Sequence, residues 1–330
     1  MSDDLDIAAM AAALGARDRP TLARAITLVE STRSDHRARA EALLAALPSP
    51  AVPSIRLGIT GAPGVGKSTF IEAFGGYLTA RGRRVAVLAV DPSSSRAGGS
   101  ILGDKTRMAA LSRDPNAFIR PTPAGRSLGG VARRTREAMV LVEAAGFDVT
   151  IVETVGVGQS EYAVADMVDM FLLLVAPGGG DELQGIKRGI MELADLLIVN
   201  KADGAFAGAA MNAAADYRNA LNLMRPRTAW WTVDVLLSSA LEGTGLPEIW
   251  RAVEAFQEKM PAHDGALSAR AAQARRWLWE EIQDDLMTAL KSDPKLASLI
   301  TAREDQVGGG DIAPSAAARE ILAAFLEQKK

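Results

Sequence analysis

The sequence of 330 residues contains no cysteine and only two histidines, His36 and His263. The missing cysteines exclude a disulfide framework, a thiolate zinc site and a cysteine nucleophile. Two histidines also give little support to a multi-histidine metal site or to a Ser-His-Asp triad. The chain therefore lacks the residues on which several common classes of enzyme and metal-binding protein depend.

A basic excess and a long apolar run are missing as well. The 37 Lys and Arg residues are balanced by 40 Asp and Glu, whereas nucleic-acid-binding proteins usually carry a strongly basic face. The longest apolar run, near residues 171–176, is far shorter than the roughly 20 residues of a membrane helix. The acidic start, residues 1–6, is unlike a secretory signal. We expect a cytoplasmic protein with no nucleic-acid partner and no membrane partner.

Short apolar runs alternate with helical segments through the middle of the chain. The predicted strands are residues 55–60, 85–90, 149–153, 170–175, 196–199 and 233–237. Continuous apolar strands separated by helices are typical of a parallel sheet that is covered on both faces. The sequence therefore predicts an α/β fold with a mostly parallel central sheet.

Helical segments flank this region on both sides. Residues 1–50 have helical spacing, with Leu22, Ile26 and Val29 on one face. From about residue 266 the strands stop, and the tail reads as helices with a break at 293–294 and a glycine loop at 308–310. We expect an N-terminal helical extension (1–50), a nucleotide-binding domain (51–262) and a C-terminal helical arm (263–330). The arm either caps its own sheet or serves self-association, and we favour the second.

A phosphate-binding loop lies between a predicted strand and a predicted helix. Its residues match the pattern G-x-x-x-x-G-K-S and are Gly61, Ala62, Pro63, Gly64, Val65, Gly66, Lys67 and Ser68. The glycines let backbone N–H groups point at phosphates, and the helix N-terminus adds positive potential. Lys67 is expected to reach the β- and γ-phosphates, and Ser68 to bind Mg²⁺. The α/β fold is thus predicted to be that of a P-loop NTPase.

Two later loops indicate guanine as the base. Asn200, Lys201, Ala202 and Asp203 follow a predicted strand, and a carboxylate there accepts hydrogen bonds from guanine N1 and the 2-amino group together. Adenine lacks that pair of donors and would leave the carboxylate unpaired. The segment Ser239, Ala240 and Leu241 resembles the further G-protein loop whose backbone holds guanine O6. We therefore expect GTP and GDP as ligands.

The acidic residues near the γ-phosphate are less standard. Many P-loop proteins organise Mg²⁺ with a strand-end Asp, but here the matching strand ends in Glu153. Gly156 suits close approach to the γ-phosphate, and Val157 stands where Ras-like proteins have a water-orienting Gln. Asp91 is our candidate for that water, and Asp104 either joins the metal shell or caps a helix. Catalysis is assigned to Lys67, Asp91 and Glu153.

Transition-state charge has several candidate sources, namely Lys105, Arg107, Arg126, Lys187 and Arg188. Each is also explained as a solvated surface charge. Without the Gln and without an obvious arginine finger, we expect slow intrinsic hydrolysis that a partner accelerates.

These segments resemble the MeaB-type G proteins, also called the ArgK family, which are associated with methylmalonyl-CoA mutase. The matching stretches are residues 61–69, 90–95, 98–108, 127–130, 153–161, 179–187 and 200–203. The resemblance covers roughly residues 20–330 and extends the nucleotide-binding segment to Thr69.

The resemblance implies a cytoplasmic homodimer joined through the C-terminal arm. It implies GTP hydrolysis coupled to loading and protection of the mutase, with adenosylcobalamin bound only through that partner. It also implies that Ser68, Asp91, Asp104 and Glu153 surround Mg²⁺, and that residues 177–188 couple the nucleotide to the partner.

Three other functions compete with this hypothesis. A kinase would need a base at the acceptor site, and no kinase catalytic-loop pattern is present. A metal-delivery GTPase would carry Cys or His metal sites, which this composition does not favour. A nucleotide-gated scaffold, for which hydrolysis matters little, stays open.

Overall fold

The computed structural model describes eight stretches of the chain. They are residues 6–48, 54–90, 108–122, 128–154, 160–177, 188–225, 227–263 and 266–327. Seven strands and thirteen α-helices lie in these stretches. The chain divides into two compact units, residues 1–273 and 274–330.

The strands of the first unit form one parallel sheet. They are β1 Ile55–Gly61, β2 Val85–Val90, β3 Ala117–Thr122, β4 Val149–Thr154, β5 Met170–Val175, β6 Leu196–Val199 and β7 Asp234–Leu237. Their order across the sheet is β3-β2-β4-β1-β5-β6-β7, and every neighbouring pair is parallel. The predicted α/β class with a parallel sheet is confirmed.

The central strands read as unbroken apolar runs because both of their faces are covered. β1, β4, β5 and β6 are buried at every position. Leu172 belongs to one apolar cluster, and the next residue, Leu173, belongs to the cluster on the other face. This two-sided burial is typical of parallel sheets. The loops that follow the carboxyl ends of these buried strands carry most of the predicted site residues.

Strand β3, at one edge of the sheet, is not predicted by the sequence pattern. Its sequence includes Arg120 and Pro121, which interrupt the apolar pattern. The strand forms because β3 lies at the edge and pairs only with β2, where a proline is tolerated. Arg120 also pairs with the buried carboxylate of Glu30, so its charge is compensated.

Edge strand β7 has its own protection. The N–H of Val235 donates to Asp234 Oδ1 at 2.7 Å, and the Val235 carbonyl accepts from Arg218 Nη2 at 2.5 Å. Side chains thus bond backbone groups at the second edge of the sheet.

Thirteen α-helices lie in the described residues. They are α1 Ile7–Gly15, α2 Arg19–Glu30, α3 Ser34–Ala46, α4 Lys67–Thr79, α5 Ala109–Arg113, α6 Leu128–Ala144, α7 Ser160–Ala165, α8 Arg188–Met191, α9 Ala207–Asn222, α10 Leu246–His263, α11 Ala266–Ser292, α12 Ala297–Gly309 and α13 Pro314–Glu327. The predicted apolar face of α2 is confirmed, since Leu22, Ile26 and Val29 are buried, and α2 packs against α6.

One local prediction was wrong. Gly308 and Gly309 do not form a loop but continue helix α12, and only Gly310 adopts a left-handed conformation, with φ +80°. A single glycine is enough to end a helix in this way. The cost of a glycine inside a helix, about 1 kcal/mol each, is too small to break it alone.

The second unit contains the later part of α11 together with α12 and α13, which pack on each other. Arg303 on α12 pairs with Glu320 on α13 at 2.6 Å. Several apolar side chains of the α11 segment, including Trp279, remain exposed. No helix among the described residues has both the length and the apolarity of a membrane span.

Candidate nucleotide-binding site

The predicted nucleotide loops follow three parallel strands at the same edge of the sheet. Residues 62–66 follow β1, residues 200–203 follow β6 and residues 238–241 follow β7. Because the strands are parallel, their carboxyl ends lie side by side and form the carboxyl edge of the sheet, which is distinct from its outer strands β3 and β7. Open α/β sheets bind ligands at this carboxyl edge. The topology therefore brings together loops that are far apart in the sequence.

The phosphate loop leads directly into helix α4. Gly66 precedes the helix with φ +93°, in the left-handed region that favours glycine. A β-carbon on Gly66 would lie 2.9 Å from Asn200 Nδ2, so the close approach of the second loop also requires glycine. The arrangement presents the N-terminus of a 13-residue helix, where anions are stabilised.

Lys67 lies across the loop to which it belongs. Its ammonium donates to the carbonyl oxygens of Gly61 at 2.7 Å and Ala62 at 3.2 Å. Burial lowers the pKa of Lys67, while the carboxylates of Glu153 and Glu161 act in the opposite direction. Phosphate oxygens are stronger acceptors than neutral carbonyls, so this ammonium is suited to binding a phosphate group.

Ser68 and Glu153 meet beside the loop. Ser68 Oγ donates to Glu153 Oε1 at 3.1 Å, although the two residues come from different elements, α4 and β4. A hydroxyl and a carboxylate are the oxygen ligands that Mg²⁺ prefers. The pair thus fits two of the four predicted metal ligands.

The remaining predictions near the γ-phosphate lie outside the described residues. These residues are Asp91, Asp104 and Gly156, together with the candidate cations Lys105, Arg107, Arg126 and Lys187. Within the described stretches, no three His, Asp or Glu side chains gather into a metal site. The metal shell and the water-positioning role of Asp91 therefore stay predictions.

Asn200 connects the phosphate loop to the last of the three loops. Its side-chain amide donates to the Val65 carbonyl at 3.0 Å, and its Oδ1 accepts from the N–H of Ala240 at 3.4 Å. Asn200 is almost fully buried. This residue fixes the spacing between the phosphate end and the base end of the site.

Lys201 makes a second connection to the phosphate loop. Its ammonium donates to the Gly64 carbonyl at 2.7 Å. The backbone of Lys201 is left-handed, with φ +61°, which is uncommon for a residue other than glycine. Backbone outliers of this kind cluster at ligand sites, where the surrounding structure holds them.

Asp203 is oriented by the loop after β7. Ser239 Oγ donates to Asp203 Oδ2 and accepts from the N–H of Glu242 at 3.1 Å. Ser239 is fully buried, whereas the Leu241 side chain is largely exposed. One carboxylate oxygen of Asp203 is thus held in place, which suits a carboxylate that recognises paired donors of a base.

Two features of the site were missed from the sequence. Glu161, on the first turn of α7, is buried and close enough to Lys67 to affect its pKa. Thr154 Oγ1 donates to Thr60 Oγ1 at 2.8 Å and ties the ends of β4 and β1 together. The position of Glu161 after a glycine-rich run, at a helix N-terminus that favours acids, was the available signal.

Known proteins match this chain along nearly its whole length. A family model described as methylmalonyl Co-A mutase-associated GTPase MeaB matches residues 22–295. A putative GTPase of Caulobacter vibrioides is 56% identical over 321 residues, which cover 97% of this chain and 98% of that protein. The mitochondrial methylmalonic aciduria type A homolog of Mus musculus is 49% identical over 317 residues, covering 93% of this chain and 76% of that protein.

The fold agrees with a solved structure of similar length. A crystal structure described as LAO/AO transport system kinase has a TM-score of 0.77 and 38% sequence identity, and the match covers 99% of each chain. The family match spans the phosphate loop, both later loops and three of the six flanking helices, α2, α3 and α11. This chain belongs to the MeaB family of mutase-associated GTPases and hydrolyses GTP.

Proposed function

We propose that this GTPase is a chaperone for adenosylcobalamin-dependent methylmalonyl-CoA mutase. It assists cofactor loading and protects the mutase from inactivation. The observation that carries the proposal is family membership, because the family description itself refers to the mutase. Adenosylcobalamin is bound by the mutase in this scheme, and the GTPase contributes a contact that depends on its nucleotide. We expect both proteins in the cytoplasm.

GTP and GDP bind at the carboxyl edge of the sheet together with Mg²⁺. Lys67 moves its hydrogen bonds from loop carbonyls to phosphate oxygens, and Ser68 and Glu153 hold the metal side of the site. Asp91 and Asp104 complete the proposed ligand set, and Asp91 orients the attacking water. When bound, Mg²⁺ neutralises charge on the β- and γ-phosphate oxygens. Asp203 and Ser239 select guanine.

Two segments near the γ-phosphate are proposed to become ordered or disordered as the bound nucleotide changes. We expect the γ-phosphate to order residues 93–104 and 156–161, and hydrolysis to release them. Since Val157 replaces a water-orienting Gln, hydrolysis by the isolated protein is slow, and the mutase accelerates it. A fast isolated enzyme would contradict this part of the proposal.

The test compares mutase binding in two nucleotide states. We expect the mutase to co-purify differently with the GDP form and with the form holding a non-hydrolysable GTP analogue, and to raise the GTPase rate. Glu153→Gln should abolish that response while GTP still binds, whereas Glu248→Gln, on the exposed surface, should leave it intact. Equal binding in both states with no rate change would contradict the chaperone role. Transfer of γ-phosphate to protein instead of water would support the kinase alternative.

The C-terminal arm is proposed to form a homodimer. In the second unit, Leu278, Trp279, Leu286 and Met287 expose apolar side chains on one helix, and self-association would bury this surface. Sedimentation equilibrium should show a dimer that Leu278→Asp dissociates. Leu223→Asp, at an exposed leucine of the first unit, is the matched control. A monomeric wild type, or equal effects of the two variants, would contradict this interface.

A further inference from the structure

Three arginines gather at the amino edge of the sheet, where the strands begin, on the side opposite the nucleotide loops. Arg17 follows helix α1, Arg19 begins helix α2 and Arg84 directly precedes β2. Since β2 has six residues, this edge is roughly 20 Å from the carboxyl edge. The cluster is therefore separate from the site described above.

The guanidinium groups of Arg17 and Arg84 approach the same point. A β-carbon built on Gly146 would lie 3.0 Å from Arg84 Nη1 and 3.1 Å from Arg17 Nε. The two nitrogens are therefore no more than about 6 Å apart. Two like charges at this separation repel each other unless an anion lies between them.

Among the described residues, the hydrogen bonds of these arginines use only part of their donors. The Arg84 guanidinium bonds the carbonyls of Ala145 and Gly146 there through Nη1, and it lies 4.5 Å from the centre of the Phe147 ring. Arg19 Nη1 donates to the carbonyls of Asp114 and Pro115. Among the described residues, no hydrogen bond of the Arg17 guanidinium is found.

Arg84 has two arginines and one carboxylate among the charges that act on it. Burial lowers the pKa of Arg84, and the positive charges of Arg17 and Arg19 lower it further, whereas Asp148 opposes them. The Asp148 carboxylate already accepts a hydrogen bond from the backbone N–H of Arg84 at 2.6 Å and pairs with the Arg83 side chain at 3.5 Å. The Arg84 guanidinium thus feels two positive charges and one negative charge, and Arg17 beside it is exposed.

The backbone of Arg17 adds an independent observation. Asp18 N–H bonds Ala13 O at 3.0 Å and Arg17 N–H bonds Leu14 O at 2.8 Å, the hydrogen-bond pattern of a Schellman motif. Arg17 occupies its left-handed position, with φ +68°, where glycine is the usual residue. Arg17 therefore occupies a position whose backbone conformation favours glycine.

We propose that Arg17 and Arg84, supported by Arg19, form a binding site for the phosphate group of a small molecule. Guanidinium groups match phosphate oxygens in geometry and charge. A dianion between the two groups would relieve their repulsion and use their free N–H donors. Two cations that converge on one point suit a compact tetrahedral anion better than the spread charges of an acidic peptide.

The test measures binding of radiolabelled inorganic phosphate by equilibrium dialysis. The protein is saturated with Mg²⁺ and a non-hydrolysable GTP analogue, so that phosphate cannot enter the nucleotide loop. We expect one saturable site per chain. Arg17→Gly should weaken binding tenfold or more and should not lower the midpoint of thermal unfolding, because glycine suits the left-handed position. Arg84→Gln should also weaken binding.

Arg251→Gln removes the same charge from an exposed pair elsewhere and should leave phosphate binding within twofold of wild type. Absence of a saturable site, or equal binding by wild type and Arg17→Gly, would overturn the proposal. Displacement by succinate at equal concentration would overturn the preference for phosphate. Displacement by glycerol phosphate would identify phosphomonoesters as ligands, and its absence would restrict the site to free phosphate.

Discussion

The nucleotide loops at the carboxyl edge and the buried ion pairs at the amino edge hold their cations in different ways, and the Arg17 and Arg84 cluster, in which Arg84 bonds carbonyls, is the exception at the amino edge. At the carboxyl edge, Lys67 and Lys201 donate to backbone carbonyls of the phosphate loop. At the amino edge, Arg56 donates to both carboxylate oxygens of Glu143, at 2.8 Å and 2.7 Å. Neutral acceptors hold the lysines, and full charges hold the arginine.

Further ion pairs continue this pattern along the amino edge. Arg270 donates to both oxygens of Asp169, at 3.0 Å and 2.6 Å. Burial acts to raise the pKa of Glu143, but Arg56 and Arg270 hold it below its usual value. Cations held by carbonyls are available to a phosphate ligand, whereas cations paired with buried carboxylates are committed to the fold. Substitutions in the buried ion pairs should therefore lower the free energy of unfolding, whereas substitutions of the loop lysines should lower nucleotide binding or hydrolysis.

The largest expected effect is a loss of stability at the amino edge. Glu143→Gln should lower the free energy of unfolding by about 3–5 kcal/mol, because it leaves a buried arginine without its charge partner. The Arg56 and Glu143 side chains are only 7% and 5% exposed. Urea denaturation measures the change. Glu248→Gln, in an exposed pair, is the control and should cost less than about 1 kcal/mol; equal losses would remove the distinction between the edges.

The next effect is on catalysis at the carboxyl edge. Lys67→Met should lower the single-turnover rate of GTP hydrolysis by about 100- to 1,000-fold, because a charge that stabilises the transition state is lost. The free energy of unfolding should fall by no more than about 1–3 kcal/mol, since the partners that lose a donor are two neutral carbonyls and no charge is left unpaired. Lys295→Met, at an exposed lysine, is the control. A loss of unfolding free energy as large as that of Glu143→Gln would show that Lys67 also contributes strongly to stability.

A pH effect should appear at Asp195, which precedes β6 at the amino edge. Burial raises the pKa of Asp195 from 3.8 to about 6, against the opposing effect of Arg227. Because the folded pKa is raised, the stability linked to this proton is fully present below about pH 4 and is lost as pH rises through 6.

Asp195→Asn does not titrate and isolates this contribution. We expect the free energy of unfolding of wild type minus that of the variant to fall by about 2–3 kcal/mol between pH 4 and pH 7. Urea denaturation at both pH values measures it. A difference that stays constant or rises with pH would contradict the assignment.

The smallest effect should appear at the base end of the site. Ser239→Ala removes the donor to Asp203 and the acceptor for the Glu242 N–H. We expect GDP affinity to fall roughly 5- to 30-fold, the equivalent of about 1–2 kcal/mol. Isothermal titration measures it, with Ser112→Ala, at a helix serine whose hydroxyl donates to the Ala109 carbonyl away from the site, as the control. Unchanged affinity would show that Asp203 needs no orientation.

The features that could be predicted from the sequence are local. The phosphate loop and residues 200–203 are recognised because their consecutive residues carry the pattern, and the long apolar strands are recognised by their burial on both faces. The contacts of Asn200 with Val65, across 135 positions, and of Arg56 with Glu143, across 87 positions, depend on which strands become neighbours. Strand order is decided by packing across the whole sheet, which no short pattern reports.

Strand β3 shows the same limit from another direction. Arg120 and Pro121 argue against a strand when the segment is considered alone, and only an edge position with Glu30 nearby makes the strand possible. Arg17 was missed for a similar reason, because its neighbours Arg84 and Gly146 come from other parts of the chain.

The two edge strands also have a consequence for aggregation. An open strand edge offers a row of backbone groups with which another chain can pair. Pro121 has no N–H to offer at β3, and at β7 side chains bond both the N–H and the carbonyl of Val235. Proteins that protect their edges in this way resist runaway strand addition in a crowded cell, even when unfolding is only a few kcal/mol away.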